Sequence, residues 1–182
     1  QELLFTRIAE MESLRTLIFS DGYVPRKDHG TIHTKSLLAA LPKARNLTVL
    51  DVQRIELESE DQILQLSEVF VELESLEDLR ITGIHLPEGL SLDPLVESWI
   101  DMGNLKSLSV STHPDSKVNG GSLISKPVLQ SLLQDSTTLQ DLTLRAMHLD
   151  DAQCNTMASA LTTNSFLTSL GKLVTNCVAA TT

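Results

Sequence analysis

Residues 139–161, LQDLTLRAMHLDDAQCNTMASAL, contain the pattern that decides the fold of this 182-residue chain. The stretch opens with Leu-x-x-Leu-x-Leu, so that Leu142 and Leu144 stand two positions apart, which is the period of a strand with one buried face. Met157 and Leu161 follow four positions apart, which is the period of a helix. The stretch therefore predicts one short strand followed by one helix.

The same spacing occurs six times along the chain. Its Leu-x-x-Leu pairs are Leu14/Leu17, Leu47/Leu50, Leu76/Leu79, Leu105/Leu108, Leu139/Leu142 and Leu167/Leu170. Successive pairs are 33, 29, 29, 34 and 28 residues apart, and an apolar residue stands six and ten positions before each first leucine. One strand and one helix cannot bury their apolar faces alone, so neighbouring units must stack and share a core. The fold class predicted is an α/β solenoid of about six repeats of 28–34 residues.

Three helix starts are marked in the sequence. Ser59 with Gln62 three residues later is typical of a capping box. Asp93 before a proline is typical of an N-cap with proline at the first helical position. Asp150 and Asp151 are expected to begin another helix. These starts fall where the leucine spacing predicts helices.

The pattern resembles the leucine-rich repeat family, and a 28 or 29 residue period with a full helix per unit resembles its ribonuclease-inhibitor-like subclass. The resemblance covers nearly the whole chain and is clearest in residues 139–161. It implies a curved parallel sheet on the concave side, helices on the convex side, and a role in holding another macromolecule. Two departures occur. Family members commonly have Asn or Cys ten positions after the first leucine, and here only Cys177 does. Lys172 stands five positions after the first leucine of the last unit, where an apolar residue is expected.

We expect one leucine-rich repeat domain over residues 1–182, as an excerpt of a longer chain. Residues 1–12 are interpreted as the helix of a preceding or capping repeat, and residues 171–182 as the degenerate end of the last repeat. Terminal repeats usually carry a polar cap, and neither end of this sequence shows one.

Acidic residues dominate the charge, with a net value of −10. Residues 51–78 contain ten acidic groups against Arg54 alone. Such a field repels phosphate backbones, which excludes nucleic acid as the expected partner and favours a protein with a basic surface. The alternative is an ordinary solvated helix surface.

The sequence has two cysteines and no apolar stretch long enough to span a membrane. We therefore expect an intracellular protein, with the cytoplasm favoured. An organelle interior is the alternative, because a targeting peptide could have been removed upstream.

Strand residues between the buried leucines are expected to line the concave face. The protein-binding candidates there are Asp51, Gln53, Asp78, Arg80, Ser109, Asp141, Thr143 and Arg145. Two insertions, at 21–30 and 112–121, emerge at one edge of the solenoid and add Tyr23, Arg26, Lys27 and Lys117 as candidates. Long loops on a rigid scaffold are often functional, whereas tolerated drift in loop length is the alternative.

No catalytic constellation is recognisable. His29 and His33 have helical ligand spacing, but Gly30 lies between them and no third ligand is evident. Cys154 has no base paired with it in the sequence, and no glycine-rich phosphate loop occurs. We expect neither enzyme activity nor a metal or cofactor.

The function predicted is a non-catalytic protein–protein interaction scaffold or recruitment module. The alternative is a structural subunit of a large multiprotein assembly, held by its open ends and its acidic helix face. A third role, activation of a GTPase, would depend on Arg26 as a catalytic edge-loop arginine.

Overall fold

The computed structural model describes residues 11, 13–19, 34–113, 122–147 and 149–171. Within them, the strands are β1 (Thr16–Phe19), β2 (Val49–Gln53), β3 (Asp78–Ile84), β4 (Ser107–Thr112), β5 (Asp141–Arg145) and β6 (Ser169–Leu170). The helices are α1 (Thr34–Ala40), α2 (Glu60–Val71), α3 (Asp93–Asp101), α4 (Lys126–Gln134) and α5 (Asp151–Thr163), with a 3₁₀ turn at Leu41–Lys43. The predicted alternation of strand and helix is confirmed.

The strands form one parallel sheet in the order of the chain, from β1 to β6. The second leucines of the six pairs lie side by side, as in the register Leu50 with Leu79 and Leu79 with Leu108. Parallel neighbours need a crossover connection, and a helix supplies it between the central strands. Each unit therefore places its strand and its leucines in the same way as the unit before it.

A single apolar core runs through the stacked units, from Leu17 to Ala160. It combines the inward leucines of the strands with one face of each helix, including Leu66 and Phe70 of α2. Phe70 and Trp99 pack with ring centroids 6.4 Å apart at an interplanar angle of 59°. Burial of side chains of this size contributes about 1.5–3 kcal/mol each, which is how short elements become stable together.

Two of the three predicted helix starts are confirmed. The Ser59 hydroxyl accepts a hydrogen bond from the backbone N–H of Gln62, while the Gln62 side chain accepts one from the N–H of Glu58 at 2.9 Å. Asp150 and Gln153 form a complete capping box with bonds of 2.7 and 2.8 Å. Both helices thus begin on satisfied backbone donors.

The predicted N-cap at Asp93 is wrong. Leu92 is the N-cap, and Asp93 is already the first residue of α3. The Asp93 carboxylate instead accepts a hydrogen bond from the backbone N–H of Ser125 at 2.7 Å. This side chain therefore joins two neighbouring units rather than capping its own helix.

A left-handed residue lies at or just after the end of three of the strands, and in β3 it is the residue before the last. Arg54 (φ 61°), Gly83 (φ 72°) and Ala146 (φ 55°) each stand seven positions after the first leucine of their unit. The Arg54 N–H donates to the Thr82 carbonyl at 2.7 Å, so the turn is tied to the adjacent strand. Repetition of this turn carries the chain from the sheet towards the helix layer.

Several expectations fall outside the described residues. They concern residues 1–10, the insertion at 21–30, most of the insertion at 112–121, and residues 172–182. His29, Lys172 and Cys177 lie in those ranges, and His33 also lies outside the described residues. Among the helices that the structure does describe, none is long and apolar enough to cross a membrane.

Candidate protein-binding surface

The side chains between the buried leucines lie on the sheet face opposite the helices. In β2, buried Leu50 and Val52 alternate with half-buried Val49, Asp51 and Gln53. The other strands alternate similarly, and we call this surface the open face. Its members in β1 to β5 are residues 16, 18, 49, 51, 53, 78, 80, 82, 107, 109, 111, 141, 143 and 145.

Four of the predicted candidates form one lateral row across the open face. The register pairs Asp51 with Arg80, Arg80 with Ser109, and Ser109 with Thr143. Neighbouring strands lie about 4.8 Å apart, so each side chain is next to that of the adjacent unit. The leucine spacing thus brings together residues that are roughly thirty positions apart in the chain.

The remaining strand candidates lie in the flanking rows. Asp78 and Asp141 both pair with Ser107, so the two carboxylates have one strand between them. Gln53 lies beside Thr82, and Arg145 beside Ser111. Sequence reasoning therefore placed all eight strand candidates on the same face.

An oriented ion pair stands at the centre of this face. Arg80 donates two hydrogen bonds to the carboxylate of Asp78, from Nε at 3.2 Å and from one terminal nitrogen at 2.8 Å. The bonds to Asp78 and its charge, together with the charge of Asp51, raise the pKa of Arg80 above its ordinary value, against a smaller lowering by burial. The guanidinium is accordingly a fixed positive group on a half-exposed surface.

Asp51 is less well satisfied than its neighbours. Its Oδ1 is buried and has no hydrogen-bond partner among the described residues. An unmade hydrogen bond at a buried oxygen costs about 1–3 kcal/mol. The guanidinium of Arg80 is bonded to Asp78, so it stabilises the Asp51 carboxylate by its charge and not by a hydrogen bond at Oδ1.

The candidate set omits an apolar side chain on this face. Ile18 is 58% exposed and pairs in register with Asp51, and the half-buried Val49 lies on the adjacent strand. Apolar groups at such positions add buried apolar area when a partner covers them. The strand alternation already indicated that Ile18 points outward, which was the available signal.

The edge where the strands end carries two histidines. His85 Nδ1 lies 3.9 Å from a carboxylate oxygen of Glu56, and the rings of His85 and His113 are edge to face with centroids 6.1 Å apart. No group of three or more His, Cys, Asp or Glu that could hold a metal ion occurs in the part of the chain that is described. The loop candidates of this edge, Tyr23, Arg26, Lys27 and Lys117, lie outside the described residues.

Comparison with known proteins shows a likeness of fold. A tropomodulin C-terminal domain of Caenorhabditis elegans is 14% identical, with a TM-score of 0.59, over 90% of this chain and 92% of that one. A TLR13 chain, solved in complex with ssRNA13, is 16% identical with a TM-score of 0.37, over 78% of this chain and 24% of that one. No family model and no curated protein sequence matches. The tropomodulin likeness confirms the predicted leucine-rich-repeat type of fold.

Proposed function

We propose that this chain is a non-catalytic protein-interaction module whose open face binds another protein. The observation that carries the proposal is the charged centre of that face, where the Asp78–Arg80 pair stands beside the incompletely bonded Asp51. Arginine is enriched among residues that dominate binding energy, and its value rises when its orientation is already set. Exposed Ile18 supplies an apolar contact next to this centre.

A basic partner surface fits the same residues. Asp51, Asp78 and Asp141 outnumber Arg80 and Arg145 among the charged side chains of the open face. Opposite charges accelerate and orient association, and exposed pairs of this kind weaken as salt increases. A cationic group close to Asp51, with its methylenes against Ile18, would use both features.

We also propose the finer architecture and setting expected from the sequence. In this proposal the units form a ribonuclease-inhibitor-like solenoid of about six repeats, and the protein works in the cytoplasm without enzymatic activity. The parallel sheet in chain order supports the architecture. The low cysteine content supports the setting.

Affinity purification of the full-length native protein under gentle conditions tests the function. The bait is compared with a variant that carries Asp51→Ser and Arg80→Ser, which removes one carboxylate and the guanidinium of the charged centre and leaves the buried leucines intact. We expect one or more proteins to be recovered reproducibly with the natural bait, and at least about tenfold less with the variant, because a charged group at the centre of an interface often controls much of its affinity.

The matched control is Glu97→Ser, which removes an exposed charge from α3 on the other side of the units. This control should retain the partner. Equal recovery with the natural bait and with the open-face variant, at equal amounts of folded bait, would contradict the proposal. Measurable turnover that depends on Arg80 would contradict its non-catalytic part.

A further inference from the structure

Helix α2 has a second apolar stripe besides the one that it buries. Ile63, Leu66 and Phe70 face the core, whereas Leu64 is 43% exposed and Val71 is 47% exposed. The two exposed residues are seven positions apart, so they lie on one side of the helix about 10 Å apart along its axis. Solvent-facing positions of a helix normally carry polar residues, and here two aliphatic ones are aligned.

Unpaired acidic groups surround this stripe. Glu60, Glu68 and Glu72 are exposed, and Glu68 stands between Leu64 and Val71 in the helical sequence. Neither α2 nor the adjacent α3 contains a lysine or an arginine. In the described ranges of the chain, none of these three glutamates takes part in an ion pair. The helix therefore presents aliphatic groups among glutamates, while α1 and the 3₁₀ turn that precede it carry Lys35 and Lys43 as exposed cations.

A cavity extends the stripe at the end of α2. Its volume is about 280 Å³, and it lies between the last turn of α2 and the turn that follows α3. Val71, Leu73 and Met102 contribute apolar lining, while Glu74 and Asp101 supply carboxylates. An aliphatic side chain that enters this cavity would extend the contact beyond Val71.

We propose that this surface docks a basic amphipathic helix of a partner protein. We call it the α2 face, and it comprises Leu64, Val71, their acidic neighbours and the cavity. Aliphatic side chains at seven-residue spacing on the partner lie against Leu64 and Val71, and lysines or arginines beside them pair with the glutamates. The α2 face lies on the helix side of the units, so this proposal does not rest on binding at the open face.

A basic partner fits this surface better than a second copy does. Two α2 faces brought together would oppose glutamate to glutamate, and each chain already carries a net charge of −10. Juxtaposed like charges cost several kcal/mol and suppress the wrong partner. Charge complementarity therefore selects the basic amphipathic helix.

Fluorescence anisotropy with a labelled synthetic peptide tests the proposal. The probe is a leucine and lysine peptide with one apolar helical face, and the reference is a scrambled peptide of the same composition with no such face. We expect the amphipathic peptide to bind the natural protein at least about tenfold more tightly than the scrambled one does. A double variant, Leu64→Gln with Val71→Gln, keeps every charge and should lose that preference.

Two control variants define the surface. Phe166→Gln removes a comparably exposed apolar side chain elsewhere and should bind the amphipathic peptide as tightly as the natural protein. The open-face variant, Asp51→Ser with Arg80→Ser, should also bind normally, which separates this site from the proposed function. Circular dichroism and sedimentation confirm that each variant is folded and report its oligomeric state.

Three results would overturn the proposal. Equal affinity for the amphipathic and scrambled peptides would show attraction by charge alone. Unchanged binding by the folded Leu64 and Val71 variant would place the contact elsewhere. A natural protein that dimerises, and a double variant that does not, would show that a second copy occupies the α2 face.

Discussion

Truncation of Leu79 should destabilise this protein far more than the same change at the equivalent leucine of the last strand. Leu79 stands in β3 at 0% exposure, with Leu50 and Leu108 beside it on the adjacent strands. Leu170 occupies the same position of its unit in β6, where it is 39% exposed and pairs only with β5 among the described strands. The residue, the substitution and the position in the repeat are the same, so the difference between the two losses of unfolding free energy reports the packing alone.

The expected magnitudes follow from burial. Leu79→Ala leaves a cavity between two packed strands and should cost about 2–5 kcal/mol of unfolding free energy. Complete burial of a leucine contributes about 1.5–3 kcal/mol, so Leu170→Ala, with fewer neighbours to lose, should cost about 1 kcal/mol or less. In a chain of this length the central change should lower the melting temperature by roughly 10 °C.

Urea denaturation measures both variants directly. The single tryptophan, Trp99, is buried at 1% exposure and reports opening of the core by its fluorescence. Circular dichroism follows loss of the helices at the same time, and coincidence of the two signals supports the free energies obtained. Equal losses for Leu79→Ala and Leu170→Ala would refute the reasoning, because the repeat register would then fail to predict the packing.

Two further changes test local features. Gly83→Ala should cost about 1–2 kcal/mol in urea denaturation, because a φ of 72° strains a residue with a Cβ. The added Cβ would not clash, since the nearest atom, Cγ of Arg54, would be 3.6 Å away. The control Ala146→Gly should be within about 1 kcal/mol of neutral, and a neutral Gly83→Ala would contradict the strain. Trp99→Phe removes a buried indole N–H that has no partner among the described residues. Removal of this unsatisfied donor offsets part of the free energy lost with the packing of the larger ring. Because the phenyl ring also fills part of the space, this change should cost much less than the roughly 3–5 kcal/mol expected of Trp99→Ala, and equal costs measured by circular dichroism would contradict the prediction.

The stacking of the units could be predicted because it depends on periodic burial. Leu50, Leu79, Leu108 and Leu142 are identical in type and position, and each must be inside for the sheet to have a core. A period of two then places Asp51 and Arg80 on the opposite face without further information. This is why the eight strand candidates were assigned to one surface correctly.

Features that depend on a single contact between units were harder to predict. Asp93 carries the sequence signal of an N-cap, yet its carboxylate bonds to Ser125, thirty-two positions away. Arg54 and Ala146 adopt positive φ without the glycine that would indicate it. Bonds to a neighbouring unit hold both turns: the Arg54 N–H donates to the Thr82 carbonyl, and the Thr112 hydroxyl donates to the Ala146 carbonyl. Local rules describe a helix start or a turn in isolation, whereas here the adjacent repeat decides the outcome.

The exposed surface was the least predictable part, since exposure leaves a residue type almost unconstrained. Ile18 was expected to face outward by the strand alternation, but it was not among the protein-binding candidates. For Leu64 the leucine spacing gives no signal, and only the burial of α2 shows that it lies outside the core. An exposed aliphatic residue is therefore an exception to the burial period, whereas an exposed acidic residue follows it.

The open face and the α2 face belong to the same two units, because α2 connects β2 to β3. The core that contains Leu79 lies between them, so a core truncation there should weaken binding at both surfaces together, even though it touches neither partner. Surface changes at Asp51 and Arg80, or at Leu64 and Val71, should affect one surface each. If either pair instead abolished both interactions in a folded protein of normal stability, the two surfaces would be parts of one binding site that reaches around the edge of these units.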